Sequence, residues 1–310
     1  MSAEAQKVTV EVEGRTLTLS NLGKVLYPLT GFTKAQVIDY YLRIAPVLLP
    51  HIAGRPLTLK RYPDGVTGPY FYEKNAPRHR PGWVPTARIV SPGSTKHREI
   101  VEYVVAGDLP TLIWVANLAD LEIHTPMWRL PGIGEPDLLV FDLDPGPPAT
   151  VVECCRVARW LRDLVGQLAR AKDVGQLGPD PLAKTSGGKG LQVYAALAGL
   201  TSVQASELAR RVAAQLEQDH PELVVSRMAR GLRTGKVFID WSQNNAAKTT
   251  VAPYSLRAMP RPTVSTPVTW AEVSACGSPD DLLFTSDEVL DRVDRLGDLL
   301  APLIPSAGRA

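Results

Sequence analysis

The ten residues DLLVFDLDPG, 137–146, restrict what this chain can be more than any other stretch. Four apolar residues run into two aspartates one residue apart, and Pro-Gly ends the run at once. In a strand, residues i and i+2 face the same side, so Asp142 and Asp144 present two carboxylates roughly 7 Å apart at a strand end. Unpaired, such groups repel and lose hydration. A divalent cation that prefers oxygen ligands, Mg2+ or Mn2+, resolves the conflict. The segment KVFIDW repeats the pattern, with Val237, Phe238 and Ile239 leading into Asp240. Three aspartates on neighbouring strand ends can hold two cations about 3.5–4 Å apart, the arrangement that clamps attacking and leaving oxygens in phosphoryl transfer. Plain turn chemistry at Asp142 and Asp144, and a single exposed strand-end acid at Asp240, stay open on these residues alone.

The rest of the chain supplies a sheet and helices to carry those strand ends. Val8, Val10 and Val12, then Leu17 and Leu19, alternate around Glu13-Gly14 and predict a hairpin over 7–20. Thr33 and Gln36 stand at capping-box spacing before a helix over 34–48. DLPTLIWVANLA reads as a helix and LEIHTPMW as a strand. The second half alternates: a strand over 138–144, a helix from Thr150 to about 171, then strand, glycine turn and strand through LAKTSGGKGLQVYAAL. A helix capped by Thr201 and Gln204, the strand KVFIDW and a closing helix over 285–301 complete the pattern. Such an alternation predicts an α/β chain with helices on one or both faces of a sheet. The last residues, 304–310, are expected to fray.

No apolar run approaches the roughly 18–20 residues of a membrane span, and the polar start MSAEAQKVTV does not read as a signal peptide. Cys154, Cys155 and Cys276 match neither a zinc pattern nor a disulfide framework, which points to a reducing cytoplasm. With 34 basic and 32 acidic residues the net charge is +2, so a polyanionic partner is neither demanded nor excluded. Local clusters carry more information. RMARGLRTGK holds Arg227, Arg230, Arg233 and Lys236 without an acid, and fits either a solvated face or a phosphate track.

Four further groups bear on chemistry. KTSGGKG, 184–190, offers small residues whose backbone N–H groups can close on an anion, with Ser186 and Lys189 adding a hydroxyl and a charge; a plain glycine hairpin is the alternative. Downstream of Asp240 lie Gln243, Asn244, Lys248 and Arg257, and a guanidinium there suits a triphosphate. Asn21, Lys24 and Lys34 surround a proline turn and a helix start, where phosphate is attracted, although a solvated turn also accounts for them. Phe71 and Tyr72 stand beside Lys74, as stacking on bases would need, though Phe71 alone reads equally as core.

Together these segments resemble one family. NLGKVLYP with GFTK, GRPLTLKRYPDG, FYEKNAP, ANLADLEIHTP, DLLVFDLDPG, TSGGKGLQVY, KVFIDWSQNN and TVAPYSLRAMPRPTVSTPVTW stand in order over nearly all of residues 15–300 and are similar to the polymerase domain of bacterial ATP-dependent DNA ligase D. That domain belongs to the archaeo-eukaryotic primase superfamily. The resemblance implies an α/β (α+β) primase fold with mixed central sheets and an RRM-like catalytic core flanked by helices. It implies a single catalytic domain over 1–310, with an N-terminal subregion 1–130, a core 131–270 and the closing helix 285–301. It makes Asp142, Asp144 and Asp240 the catalytic acids for two divalent cations, Mg2+ or Mn2+. Ser186, Lys189 and Arg257 would hold the incoming triphosphate, with Lys60, Gln243 and Arg233 lining the nucleotide pocket. His124 would lie near the sugar and accept a 2′-hydroxyl, and Phe71 and Tyr72 would stack on bases. Asn21, Lys24 and Lys34 would grip a 5′-phosphate on the downstream strand.

One departure is visible. The family usually reads GLHVY where this chain has GLQVY, so Gln192 removes a group that titrates near neutral pH while keeping a hydrogen-bond donor for the nucleotide. The expected activity is template-directed nucleotide transfer, NTP or dNTP, into short gaps in broken or gapped duplex DNA during end-joining or excision repair. No ligase or nuclease signature accompanies the segments, so a separate ATP-dependent DNA ligase and other repair proteins are the expected partners. A de novo primase is the alternative within the same fold. A DxD glycosyltransferase explains Asp142 and Asp144 but not the N-terminal phosphate grip, and a non-catalytic DNA-end-binding scaffold has no need of all three acids.

Overall fold

The computed structural model describes residues 7–90, 99–171 and 176–305. The expected hairpin forms from β1 (Lys7–Val12) and β2 (Arg15–Ser20). Its turn puts Glu13 and Gly14 at φ 46° and 73°, the left-handed pair that matches strand twist. The short pair β3 (Val25–Tyr27) and β4 (Phe32–Thr33) leads into α1 (Lys34–Ile52), capped by Thr33 and Gln36 as the spacing predicts. There follow β5 (Thr58–Arg61), β6 (Phe71–Glu73), β7 (Thr86–Val90), β8 (Ile100–Val104), α2 (Leu109–Asn117) and β9 (Asp120–Thr125). The second half contains β10 (Leu138–Pro145), α3 (Val151–Ala171), β11 (Gln176–Leu177), β12 (Leu182–Thr185), β13 (Leu191–Ala198) and α4 (Ser202–Asp219). It ends with β14 (Val224–Val225), β15 (Val237–Asp240), β16 (Thr250–Val251), β17 (Pro267–Val268), α5 (Trp270–Ala275) and α6 (Ser286–Leu296).

Two sheets organise these elements. The larger runs β14-β15-β10-β13-β12-β17, with β11 joined to β13; the smaller runs β16-β9-β5-β6. Only the β14–β15 pair is parallel in the larger sheet, so its strands are mainly antiparallel and the class is mixed α/β. On β10 the alternation is clean. Leu139, Phe141 and Leu143 face a core shared with Val157 and Leu161 of α3 and Leu208 and Val212 of α4. Each such fully buried side chain contributes about 1.5–3 kcal/mol. Val140 faces the other way and packs with Tyr194, Met127 and Leu300. The even-numbered residues of β10 therefore look toward the smaller sheet, and that face carries the acids.

The chain crosses between the sheets more than once. β16, far along the sequence, pairs with β9, and Tyr194 on β13 hydrogen-bonds Thr250 across the gap at 3.0 Å. The closing helix is shorter than the expected 285–301: it stops at Leu296, where Gly297 turns to φ 67° and ends the hydrogen-bond ladder. A separate single turn over Ala301–Leu303 follows. Residues 306–310 of the segment expected to fray lie outside the described residues.

Candidate active site

β10 lies between β13 and β15, and the register places Asp142 directly opposite Asp240 on one side and Gln192 on the other. Gln192 is in turn opposite Lys184 on β12. Lys184, Gln192, Asp142 and Asp240 thus form one row across four strands on one face. Asp144 follows two residues on, opposite Phe238, at the open end of the strand. The Asn244 amide fixes this edge by bonding both backbone groups of Val140, at 2.9 and 2.8 Å. That buried asparagine is structural, where the sequence shows only a polar loop.

The row is wired by hydrogen bonds. Gln192 Nε2 donates to Asp142 Oδ1 at 3.0 Å, and Gln192 Oε1 accepts from Lys184 Nζ at 2.6 Å and Tyr194 OH at 3.0 Å. The amide of Gln192 therefore faces the carboxylate, not open space. Asp240 accepts from Ser242 N–H at 3.0 Å and Gln243 Nε2 at 2.9 Å. Burial and then the neighbouring charge of Asp144 push the Asp142 carboxyl up to about 7. Burial and Asp240 likewise raise Asp144, against the lowering influence of Arg233. Burial pushes Lys184 well down.

An all-oxygen, anionic donor set whose members raise one another's proton affinity is what a hard divalent cation would relieve. The second Asp142 oxygen and both Asp144 oxygens accept no hydrogen bond from the described residues, which leaves lone pairs free for such a ligand. As the side chains stand they do not close on a single point: among the described residues no group of three acidic, His or Cys side chains is arranged to hold one ion. Asp240 is instead turned to Ser242 and Gln243. The residues fit the cations by the chemistry of their donor set.

The glycine turn after β12 packs against this edge. Ser186 Oγ accepts from Gly188 N–H at 3.3 Å and Gly190 N–H at 3.0 Å, while Lys189 stays exposed. Gly190 leaves no room for a side chain, since a Cβ there would lie 2.3 Å from the Leu143 carbonyl. Arg257 reaches the same turn, donating to the Ser186 carbonyl at 2.5 Å. Arg233 lies on the opposite flank, with its guanidinium 3.6 Å from the Phe238 ring. Arg227 pairs with Glu217 and is exposed.

The smaller sheet contributes a second row. Lys60 on β5 stands opposite Glu122 on β9 and Tyr72 on β6. His124, two residues along β9, shares that face. Glu122 is buried and gathers Lys60 Nζ at 3.4 Å, Arg257 Nε at 3.4 Å and His124 Nε2 at 3.0 Å. Phe71 and Tyr72 are 43% and 49% exposed, so neither is core; Tyr72 shares the Lys60 face, whereas Phe71 stands opposite Arg61 on the other face, with the Arg61 guanidinium 5.1 Å from its ring. Tyr70 adds a third exposed ring, with Lys60 Nζ 4.5 Å from its centroid.

Asn21, Lys24 and Lys34 meet in a separate cavity of about 530 Å³, which Arg61 and His79 also line. Lys24 pairs with Asp64 at 2.8 Å and is partly exposed. Lys34 donates to the Ser20 carbonyl at 2.7 Å and to Ser20 Oγ at 3.5 Å; among the described residues it has no acidic partner. Burial, then the charges of Arg61 and Lys24, lower Lys34 to about 8. Glu122, Tyr70, Arg61 and His79 were singled out by no spacing, and Lys184 only as the first residue of the glycine motif. The signal that could have found Arg61 is its place beside Lys60, since adjacent strand residues face opposite sides.

Comparison with known proteins identifies the family. Residues 33–300 match the family model described as LigD, primase-polymerase domain. The multifunctional non-homologous end joining protein LigD of Mycolicibacterium smegmatis is 49% identical over 288 residues, covering 92% of this chain and 36% of that protein. The bifunctional LigD of Bacillus subtilis is 29% identical over 283 residues, covering 91% of this chain and 43% of that protein. The chain thus spans well under half the length of these relatives. A solved structure, the polymerase domain from Mycobacterium tuberculosis ligase D in complex with DNA, superposes with a TM-score of 0.82 at 44% identity, covering 93% of this chain and 97% of that one.

Proposed function

The chain belongs to the LigD primase-polymerase domain family and is a nucleotidyltransferase of that kind; from this premise we propose that it fills short DNA gaps bearing a downstream 5′-phosphate, favouring ribonucleotides, in end-joining or excision repair. The observation that carries the reading is the register that sets Asp240 opposite Asp142, two residues from Asp144. Two divalent cations, Mg2+ or Mn2+, would be held by these three carboxylates, and when bound they lower the pKa of the primer 3′-hydroxyl and neutralise the triphosphate.

The chain's own groups do the rest. Arg257, Ser186 and Lys189 hold the triphosphate: Arg257 reaches the glycine turn that carries the Ser186 hydroxyl and the exposed Lys189. Lys60, Arg233 and Gln243 line the nucleotide pocket; Gln243 also steadies Asp240. Gln192 orients Asp142, as an outer hydrogen bond orients a metal-binding carboxylate. His124 meets the ribose, and the exposed Phe71 and Tyr72 stack on bases. Asn21, Lys24 and Lys34 bind the 5′-phosphate in the N-terminal cavity. Holding both strand termini turns a bimolecular encounter into a positioned reaction.

The test is Asp142→Ala in single-nucleotide incorporation on gapped duplex with Mn2+. Charge stabilisation by bound metal is worth several kcal/mol, so incorporation should fall by about 10³-fold or more. Binding of the gapped duplex, read by fluorescence anisotropy, should stay close to wild type. Retained polymerisation by this variant would remove the acids from the mechanism.

A further inference from the structure

Glu122 sits in the middle of the nucleotide-facing row, and its two carboxylate oxygens meet different chemistry. Oε1 lies 3.4 Å from Lys60 Nζ and from Arg257 Nε, and accepts from Ala258 N–H at 3.1 Å. All three of those neighbours can only donate. Oε2 faces His124 Nε2 at 3.0 Å, with Lys60 Nζ also at 3.4 Å. Burial alone would raise the Glu122 carboxyl, but the His124 hydrogen bond and the surrounding positive charge, Arg257 foremost, hold it below the usual carboxylate range. A carboxylate in that state only accepts, so His124 Nε2 must carry the hydrogen. Burial in turn lowers His124, which favours the neutral ring, although its bond to Glu122 works the other way. A neutral imidazole protonated on Nε2 has its lone pair on Nδ1. Among the described residues nothing bonds Nδ1.

We propose that Glu122 is a positioning residue that fixes His124 in the Nε2–H tautomer, so that Nδ1 accepts a hydrogen bond from the 2′-hydroxyl of an incoming ribonucleotide; this rests on the reading of His124 as the ribose contact. The site then senses the hydroxyl as a donor. A 2′-fluorine accepts weakly and cannot donate, so a 2′-fluoro nucleotide should be handled as a deoxynucleotide despite its size and polarity. Glu122→Gln reverses the arrangement. Its amide oxygen is drawn to Lys60, Arg257 and the Ala258 N–H, which turns its NH2 toward His124 Nε2. That nitrogen must then accept, and the ring hydrogen moves to Nδ1.

Two measurements decide the matter. Long-range 1H–15N spectra of the wild-type protein labelled at histidine should show His124 as the Nε2–H tautomer; the Nδ1–H tautomer would overturn the proposal. Single-nucleotide incorporation opposite a template adenine should be compared for UTP, 2′-fluoro-dUTP and dUTP. In wild type, kcat/KM for UTP should exceed that for the other two by roughly five- to tenfold, the worth of one hydrogen bond, with the fluoro and deoxy substrates alike. A fluoro substrate that matches UTP sinks the idea. In Glu122→Gln the ratio of fluoro to deoxy incorporation should rise, a change that loss of packing alone does not produce; an unchanged ratio in a folded variant counts against the proposal. If that variant fails to fold, the wild-type measurements decide alone. No incorporation of any substrate by wild type would overturn the polymerase reading itself, and equal use of UTP and dUTP would remove His124 from the ribose.

Discussion

Gly146 leaves no room for a side chain at the edge of the candidate active site, and a single methyl group there should be felt at Asp144. A Cβ on Gly146 would lie 1.9 Å from the Arg233 carbonyl oxygen and 3.0 Å from Arg233 Cβ. Real Cβ contacts essentially never fall under 3.0 Å, so Gly146→Ala must part the two segments by at least the difference, 3.0 − 1.9 = 1.1 Å. The obstacle is backbone and cannot swing aside. Both segments are also pinned: Gly146 N–H donates to the Lys236 carbonyl at 2.8 Å, and Gly235 N–H to the Gly146 carbonyl at 3.0 Å. The displaced segment carries Arg233, whose charge opposes the rise in Asp144. A misplacement of about 1 Å near reacting groups can cost roughly 10²-fold, and overpacking typically costs about 1–3 kcal/mol of stability. Gly146→Ala should therefore lower kcat for single-nucleotide incorporation by tens to about a hundredfold and reduce the thermal midpoint by a few degrees. Gly231→Ala is the control, because it lies in the same segment, has nothing within 4 Å of a built Cβ, and should leave rate and melting unchanged. Wild-type kinetics in Gly146→Ala, or equal losses in both variants, would refute the steric argument.

Lys34, lowered to about 8, predicts a pH-dependent phosphate grip. Phosphate binds the charged form, so the preference for 5′-phosphorylated over 5′-hydroxyl gapped DNA should be full below pH 8 and decline as pH rises through it; anisotropy titrations from pH 7 to 9 showing a constant ratio would exclude Lys34 from the grip. The same residue binds fewer protons folded than unfolded between its depressed value and the ordinary lysine value, so its effect on stability grows more favourable as pH rises through that window. Gln192→His places a titrating ring against Asp142, so the pH–rate profile should gain an ionisation near pH 6–7 that wild type does not owe to this position. A superimposable profile would show that residue 192 does not act on the carboxylate.

What was legible in the sequence follows from where each determinant lies along the chain. The caps at Thr33 and Thr201 and the turn at Glu13-Gly14 depend on residues three or fewer positions apart, and all of them form. Asp142 and Asp144 share a face by strand geometry alone, which is equally local. Asp240 could be suspected from its own apolar lead-in, but its position opposite Asp142 is a matter of register. A slip of one residue between β10 and β15 would have sent it to the helix-covered face. Glu122 was invisible for the same reason: in LEIHTP it alternates like any half-buried strand residue, and its partners come from positions 60, 124 and 257. Lys184 looked like the first residue of a glycine motif, yet it is fully buried and bonded to Gln192 and Ser265.

The row Lys184–Gln192–Asp142–Asp240 also explains why an uncharged residue fits at position 192. Gln192 must accept from both Lys184 and Tyr194 while donating to Asp142, three bonds from one side chain. An amide has an oxygen with two lone pairs and an NH2, so it meets all three at once. A neutral imidazole has one acceptor and one donor and would leave either Lys184 or Tyr194 without this partner, in a place where an unmade hydrogen bond costs about 1–3 kcal/mol. Residue 192 is therefore constrained by the acid on one side and the buried lysine on the other.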